Sequence, residues 1–331
     1  MKHLRYPAEA PRFVPLINDK VFKLVFSEPA NKDILIALLN ILIPGKNIQD
    51  LTYLDKEIHG FVFQDKSTIF DVYCETDAHE QFVVEMQARG QEHFADRMLV
   101  YSTYPVREQI VRKFGSGLRG LMRRLRGKRK IDYTLLPIYM VSLTNFGMPH
   151  GSEAVLEDGL VSRYSIRDDV KGELMTDALH FVYFEIGRLR WRSGEESRCT
   201  SRMQKIACAL RYMAEYREVP AALRDEILVE RMFEASTIAN MTVKQRKYYD
   251  KSIMESWIDR QAQMDFAVKN AMKQGLEQGI AKGIEQGATR RNLEIARAML
   301  KDHVDIKTVA KYSGISEKEL QTLSSQEFLN K

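Results

Sequence analysis

The sequence predicts an α/β fold followed by an all-helical region, and three observations carry that reading. Two stretches dense in Ile, Val, Phe, Tyr and Leu, Ile69–Gln87 and Leu135–Leu143, have the length and composition of buried strands. Between and before them, apolar residues recur at helical spacing. Beyond Trp191 the strand signal almost vanishes while the helical period continues.

Taken in order, residues 1–15 are Pro-rich and predict an extended arm. From Asp19 to Leu42 the apolar positions Val21, Phe22, Val25 and Phe26, then Ile34, Leu35, Leu38, Leu39 and Leu42, predict two helices split by Pro29 and closed by Pro44-Gly45. Ile48–Ile58 alternates enough for a first strand. Residues 92–113 read as a helix that Pro105 should kink. In Leu135–Leu143, Pro137 prefers the first strand position or an edge. Residues 145–160 look like a loop, and Ser162–Ile166 and Phe181–Ile186 like two short strands. Residues 195–270 are charged and helical in period, broken at Pro220. Gly275, Gly279, Gly283 and Gly287 then recur every four residues. Glu277, Lys282 and Glu285 interrupt that stripe, which excludes a membrane helix pair and favours an exposed helix that is either flexible or suited to homo-oligomers. Residues 292–302 and 305–323 predict small helices with a turn at Gly314.

Composition narrows the function. The 331 residues are 44% hydrophobic and 29% charged, enough for a large core and more than one region. No apolar run is long enough to cross a membrane, and the first residues lack a signal-peptide core, so a cytoplasmic protein is expected. Three cysteines (Cys74, Cys199, Cys208) and scattered histidines match neither a disulfide framework nor zinc-ligand spacing. The formal charge of +5 is unevenly spread. Between Arg107 and Lys130 stand ten basic residues (Arg107, Arg112, Lys113, Arg119, Arg123, Arg124, Arg126, Lys128, Arg129 and Lys130) against the single acid Glu108. Such a run binds phosphate backbones through counterion release; its bland alternative is a solvated basic loop.

The sharpest signal is a pair of acids in apolar strands. Ile69-Phe-Asp-Val-Tyr-Cys-Glu-Thr76 and Gln81-Phe-Val-Val-Glu-Met-Gln87 flank a short connection and predict an antiparallel hairpin. Ionised carboxylates do not belong in such runs unless something compensates their desolvation. A register opposing Thr76 to Glu80 sets Asp71 opposite Glu85, with Gln87 on the same face. A slip of one residue separates them. If the register holds, two carboxylates converge as a hard divalent cation such as Mg²⁺ requires; otherwise they are exposed acids on an amphipathic hairpin.

The pattern Asp71-(x)13-Glu85-x-Gln87 resembles the hairpin of PD-(D/E)XK phosphodiesterases, in the variant that ends in Gln rather than Lys. Phe70-Asp-Val-Tyr-Cys with Val84-Glu-Met-Gln87 resembles, more narrowly, the Rpn group of recombination-promoting, transposase-like nucleases. Asn18–Phe26, Arg97-Met-Leu-Val-Tyr101 and Phe181–Ile186 resemble further segments of that group in the same order. The resemblance implies a restriction-endonuclease-like αβββαβ core at residues 16–190, then a helical region at 191–270 and a Gly-periodic helix with a small helical tail at 271–331. It also implies a metal-dependent DNA endonuclease linked to recombination or mobile elements. Asp71 and Glu85 would hold Mg²⁺, with Mn²⁺ as a substitute, and Gln87 would orient water without the charge a Lys brings. Asp19 is either a third metal acid or a first-turn acid of its helix. Arg97 and Tyr101, one turn apart, either contact nucleotide or pad the helix. Arg112, Lys113, Arg119, Arg123, Arg124, Arg126, Lys128, Arg129 and Lys130 would hold DNA. The rival is a DNA-binding or assembly protein in which Gln87 marks lost catalysis. Val304–Leu320 resembles a helix-turn-helix, but Glu317 and Glu319 in its second helix favour a packing hairpin.

Overall fold

The computed structural model of the chain describes residues 11–54, 70–114, 133–150 and 156–322. They form two compact units, Met1–Ile253 and Met254–Lys331.

In the first unit, α1 (Asp19–Phe26) begins at Asn18, whose side chain caps Lys20 N and Val21 N. It buries Val21, Phe22, Val25 and Phe26, and Phe22 stacks on Phe26 with ring centroids 4.1 Å apart. A 3₁₀ turn at Pro29–Asn31 separates it from α2 (Lys32–Leu42), as Pro29 dictates. Six strands follow: β1 (Thr52–Tyr53), β2 (Val72–Glu75), β3 (Gln81–Gln87), β4 (Ile138–Thr144), β5 (Val161–Arg167) and β6 (Leu174–Glu185). They form one mixed sheet in the order β1-β2-β3-β4-β6-β5. β3, β4 and β6 run parallel at its centre, and the outer pairs are antiparallel.

Both faces of this sheet are covered, which is why β3 and β4 are buried along their whole length and their apolar residues do not alternate with exposed polar ones. On one face Val72, Phe82, Val84, Met86, Val141 and Phe184 join α1 and α2 in the main core. The later helices α4 (Arg202–Tyr212) and α5 (Ile227–Ala235) bring Ile206, Leu210, Met232 and Phe233 into that same core. On the other face Tyr73, Val83, Met140 and Tyr183 pack on Phe94 and Met98 of α3 (Phe94–Phe114).

Several elements differ from the sequence expectation. α3 starts two residues later than expected and runs through Pro105 as the one helix expected there; the ring forfeits only one backbone donor, and Ser102 and Thr103 hydroxyls bond the carbonyls of Leu99 and Val100 just before it. The first strand pairs over only two described residues, Thr52 opposite Glu75 and Tyr53 opposite Cys74; positions 55–58 lie outside the described residues. β5 and β6 are longer than expected, and their outer halves are largely exposed. The carboxylate of Asp168 turns the chain between them, accepting from the backbone N–H of Val170, Lys171 and Glu173. Just past β6, Gly187 lies so close to the end of β4 that a Cβ there would stand 2.3 Å from Phe146 N.

The helix α6 (Val243–Lys301) is a single element of 59 residues that carries the four periodic glycines, so the helix expected at 292–302 is its last part. At Gly275, Gly279, Gly283 and Gly287 an added Cβ would meet nothing within 4 Å. In the second unit, Ala296, Val309 and Leu320 form a small core with Met299, Leu300 and Ile315. It joins the end of α6 to α7 (Ile306–Ser313) and to helical residues 317–322. Gly314 makes the intervening turn at φ 67°, a left-handed conformation that glycine adopts without strain.

Candidate active site

The β2–β3 register runs Val72–Val84, Tyr73–Val83, Cys74–Phe82 and Glu75–Gln81. Thr76 N donates to the Glu80 carbonyl at 3.0 Å, which closes the hairpin in the register that opposes Thr76 to Glu80. The same register sets Asp71 opposite Glu85. Asp71 Oδ2 accepts from Met86 N at 2.9 Å, and Asp71 N donates to Glu85 Oε1 at 3.4 Å. Two carboxyl groups therefore meet at the open end of the hairpin, each tied to the other's strand.

Their electrostatics are adverse. Glu85 is 2% exposed, while Asp71, partly exposed as a residue, turns its carboxyl onto the strand. Burial raises Asp71 to about 7; the bond from Met86 N opposes this, and the charge of Asp19 adds to it. Burial, then repulsion from Asp71, raises Glu85 well above the ordinary carboxylate range. Lys23 of α1 and Arg97 of α3 pull both back toward ionisation. Among the described residues neither carboxylate forms an ion pair.

A divalent cation suits this donor set. The acids are hard oxygen donors, adjacent, buried and without a cationic partner at contact distance, and Mg²⁺ needs few protein carboxylates because it retains water. Among the described residues no three His, Cys, Asp or Glu side chains gather closely enough to hold a metal. Asp19, exposed in the first turn of α1, acts on Asp71 through its charge and does not complete such a triad.

The other predicted residues divide into three groups. Arg97 and Tyr101 reach the site from α3: Arg97 Nε donates to the Tyr101 hydroxyl at 2.8 Å and Arg97 Nη1 to Gln91 Oε1 at 2.5 Å. Burial raises the Tyr101 phenol, Arg97 lowers it, and the charges of Glu85 and Asp71 raise it further. Gln87 ends β3 almost buried, and its carbonyl accepts from Asn145 N at 2.9 Å. By contrast, Arg112 sits beside the far end of β2, ion-paired to Glu75 at 2.6 Å and to Glu108 at 2.8 Å. That is roughly 13 Å along the strand from Asp71. Tyr73 donates to the same Glu108 at 2.5 Å, and Lys113 Nζ donates to the Thr134 carbonyl. Arg119, Arg123, Arg124, Arg126, Lys128, Arg129 and Lys130 lie outside the described residues.

Sequence reasoning missed a neighbouring polar cluster. Gln87, Thr144 and Glu185 are register neighbours across β3, β4 and β6. Glu185 is fully buried, bonded to His150 Nε2 at 2.5 Å, Arg188 Nε at 2.5 Å and Met148 N at 2.7 Å. The signal was available for Glu185, an acid inside the apolar run Phe181–Ile186. It was not available for His150 in a loop.

The profile of the PD-(D/E)XK nuclease family transposases matches residues 16–267, and that of the Rpn/YhgA-like nuclease family C-terminal HTH domain matches residues 290–325. The second match corrects the packing-hairpin expectation. Glu317 and Glu319 are both exposed, so they leave the helix-turn-helix core of Ala296, Val309 and Leu320 undisturbed. No curated protein and no solved structure matches the chain. With its mixed sheet clothed by helices and a profile match over most of its length, the chain belongs to the PD-(D/E)XK nuclease family transposases, with an Rpn-type helix-turn-helix at its carboxy-terminal end.

Proposed function

We propose that the protein is a divalent-metal-dependent DNA endonuclease that promotes recombination or acts with mobile elements. The observation that carries this reading is the convergence of Asp71 and Glu85 at the hairpin's open end. These two carboxylates would hold Mg²⁺ or Mn²⁺. When bound, such a cation polarises a phosphoryl oxygen and lowers the pKa of a coordinated water. Gln87, on the same face, orients water by hydrogen bonding and adds no charge. Arg97 and Tyr101 stand against the acids, where a guanidinium can receive a phosphate. The basic run from Arg119 to Lys130 supplies backbone affinity indifferent to sequence. The helix-turn-helix adds a second DNA contact.

The reading places the work in the cytoplasm, on DNA, with a nuclease-like part at 16–190 and homo-oligomers formed through the Gly-periodic part of α6. That stretch exposes Met272, Leu276, Ile280 and Ile284 beside its glycines. Among the described residues no helix is long and apolar enough to cross a membrane.

One observation favours a second reading. Gln87 lacks the charge that Lys brings to this position, so the fold could bind DNA without cutting it. Supercoiled-plasmid cleavage in Mg²⁺, Mn²⁺, Ca²⁺ or EDTA separates the two. Nicking that Asp71→Ala and Glu85→Ala both abolish supports the nuclease. Plasmid bound but uncut by all three proteins supports the second reading.

A further inference from the structure

Ser142 of β4 is the register partner of Glu85 across the parallel β3–β4 pair. Residues so paired lie about 4.8 Å apart between strands and leave the sheet on the same face. Ser142 is 0% exposed, and its Oγ has no hydrogen-bond partner among the described residues. Among the described residues, the Glu85 carboxyl beside it receives only the long bond from Asp71 N. A buried hydroxyl with nothing to bond thus adjoins a buried carboxyl with too few donors. Each carries an unrelieved desolvation penalty that the other could remove. Asn145 Oδ1 and Ser236 Oγ are also buried and unpartnered, but neither is the register partner of a site carboxylate.

We propose that Ser142 is a positioning residue for the cation site: its hydroxyl donates to the Glu85 carboxylate and holds it in the orientation a divalent cation requires. A serine hydroxyl rotates to suit its acceptor, and carboxylates that bind metals are characteristically oriented by such outer partners. The proposal rests on the metal-dependent reading above. It gives the hydroxyl opposite effects in the two states. Without metal it is an unsatisfied buried group, and its removal is neutral or stabilising. With metal its removal frees the ligand.

The test is a Mn²⁺ titration of the full-length protein by calorimetry, paired with thermal unfolding in EDTA, on wild type, Ser142→Ala, Ser142→Thr and Glu85→Ala. Ser142→Ala should unfold in EDTA no earlier than wild type yet bind Mn²⁺ roughly tenfold more weakly, and Ser142→Thr, which keeps the hydroxyl, should bind nearly as wild type. Equal affinity in wild type and Ser142→Ala, with binding lost in Glu85→Ala, overturns the proposal and leaves the metal site standing. Equal loss in Ser142→Thr and Ser142→Ala also overturns it, because packing rather than the hydroxyl would then matter. A wild type that binds Mn²⁺ no better than Glu85→Ala removes the metal-dependent reading and this proposal with it.

Discussion

Asp71 and Glu85 are crossed: Asp71 Oδ2 accepts from the strand that carries Glu85, and Glu85 Oε1 accepts from Asp71 N. Asp71 is thereby held by the strand that carries Glu85, whereas Glu85 has only a long bond in return, and the two charges are kept close.

The crossing predicts an inverted pH dependence. Both groups have folded-state pKa values above the unfolded ones, so the native state holds protons that the unfolded chain releases first. Metal-free stability should therefore fall as pH rises from about 4 through about 7, where Asp71 ionises, and go on falling until Glu85 has ionised as well. Asp71→Asn should raise the metal-free Tm at pH 8 by about 2–4 °C and flatten this slope. Bound metal should reverse the trend, because its ligands must be deprotonated. Calorimetric unfolding across pH, with EDTA or Mn²⁺, reads both effects; a flat metal-free profile would show that the acids are solvated.

Gln87→Lys should speed single-turnover plasmid nicking by roughly tenfold, equivalent to about 1.4 kcal/mol of barrier. The Lys supplies the charge that the amide lacks. An unchanged rate would place residue 87 out of reach of the reacting groups.

Arg97 and Arg112 should behave as different kinds of arginine. Arg112→Ala strands Glu75 and Glu108 without their partner. It should lower Tm by about 2–4 °C, given the exposure of the pair, and leave DNA affinity intact. Arg97→Ala should leave Tm nearly unchanged while weakening cleavage. Parallel melting and cleavage assays decide this, and a loss of DNA affinity in Arg112→Ala would reverse its assignment.

The triple change of Arg123, Arg124 and Arg126 to Ala should weaken DNA binding and reduce its salt slope by about two to three. Fluorescence anisotropy from low to moderate salt measures it. The same slope in both proteins would mean that this run does not meet phosphate.

The hairpin and the burial of its strands were legible from side-chain polarity, while its register stayed open to a slip of one residue. Apolar runs at β3 and β4 needed cover on both faces, and only one register set Asp71 against Glu85. What escaped the sequence depends on contacts between distant segments. Ser142 is an ordinary strand residue until β4 is laid parallel to β3. Arg112 is one cation in a basic run until Glu75 and Glu108 claim it. The outer halves of β5 and β6 are exposed and mix apolar with polar residues, so no period reveals them. The acids of the last helix misled because their outward direction depends on a core that joins three helices.

Gly187 touches neither acid, yet a methyl group there would drive against Phe146 N, next to the Asn145 amide that bonds Gln87. Any side chain at 187 must therefore move the strand end that frames the site. In a saturation screen scored only by cleavage, this position would be as intolerant as Asp71 itself. It would be ranked among the catalytic residues by a method blind to the difference between taking part in a reaction and leaving room for it.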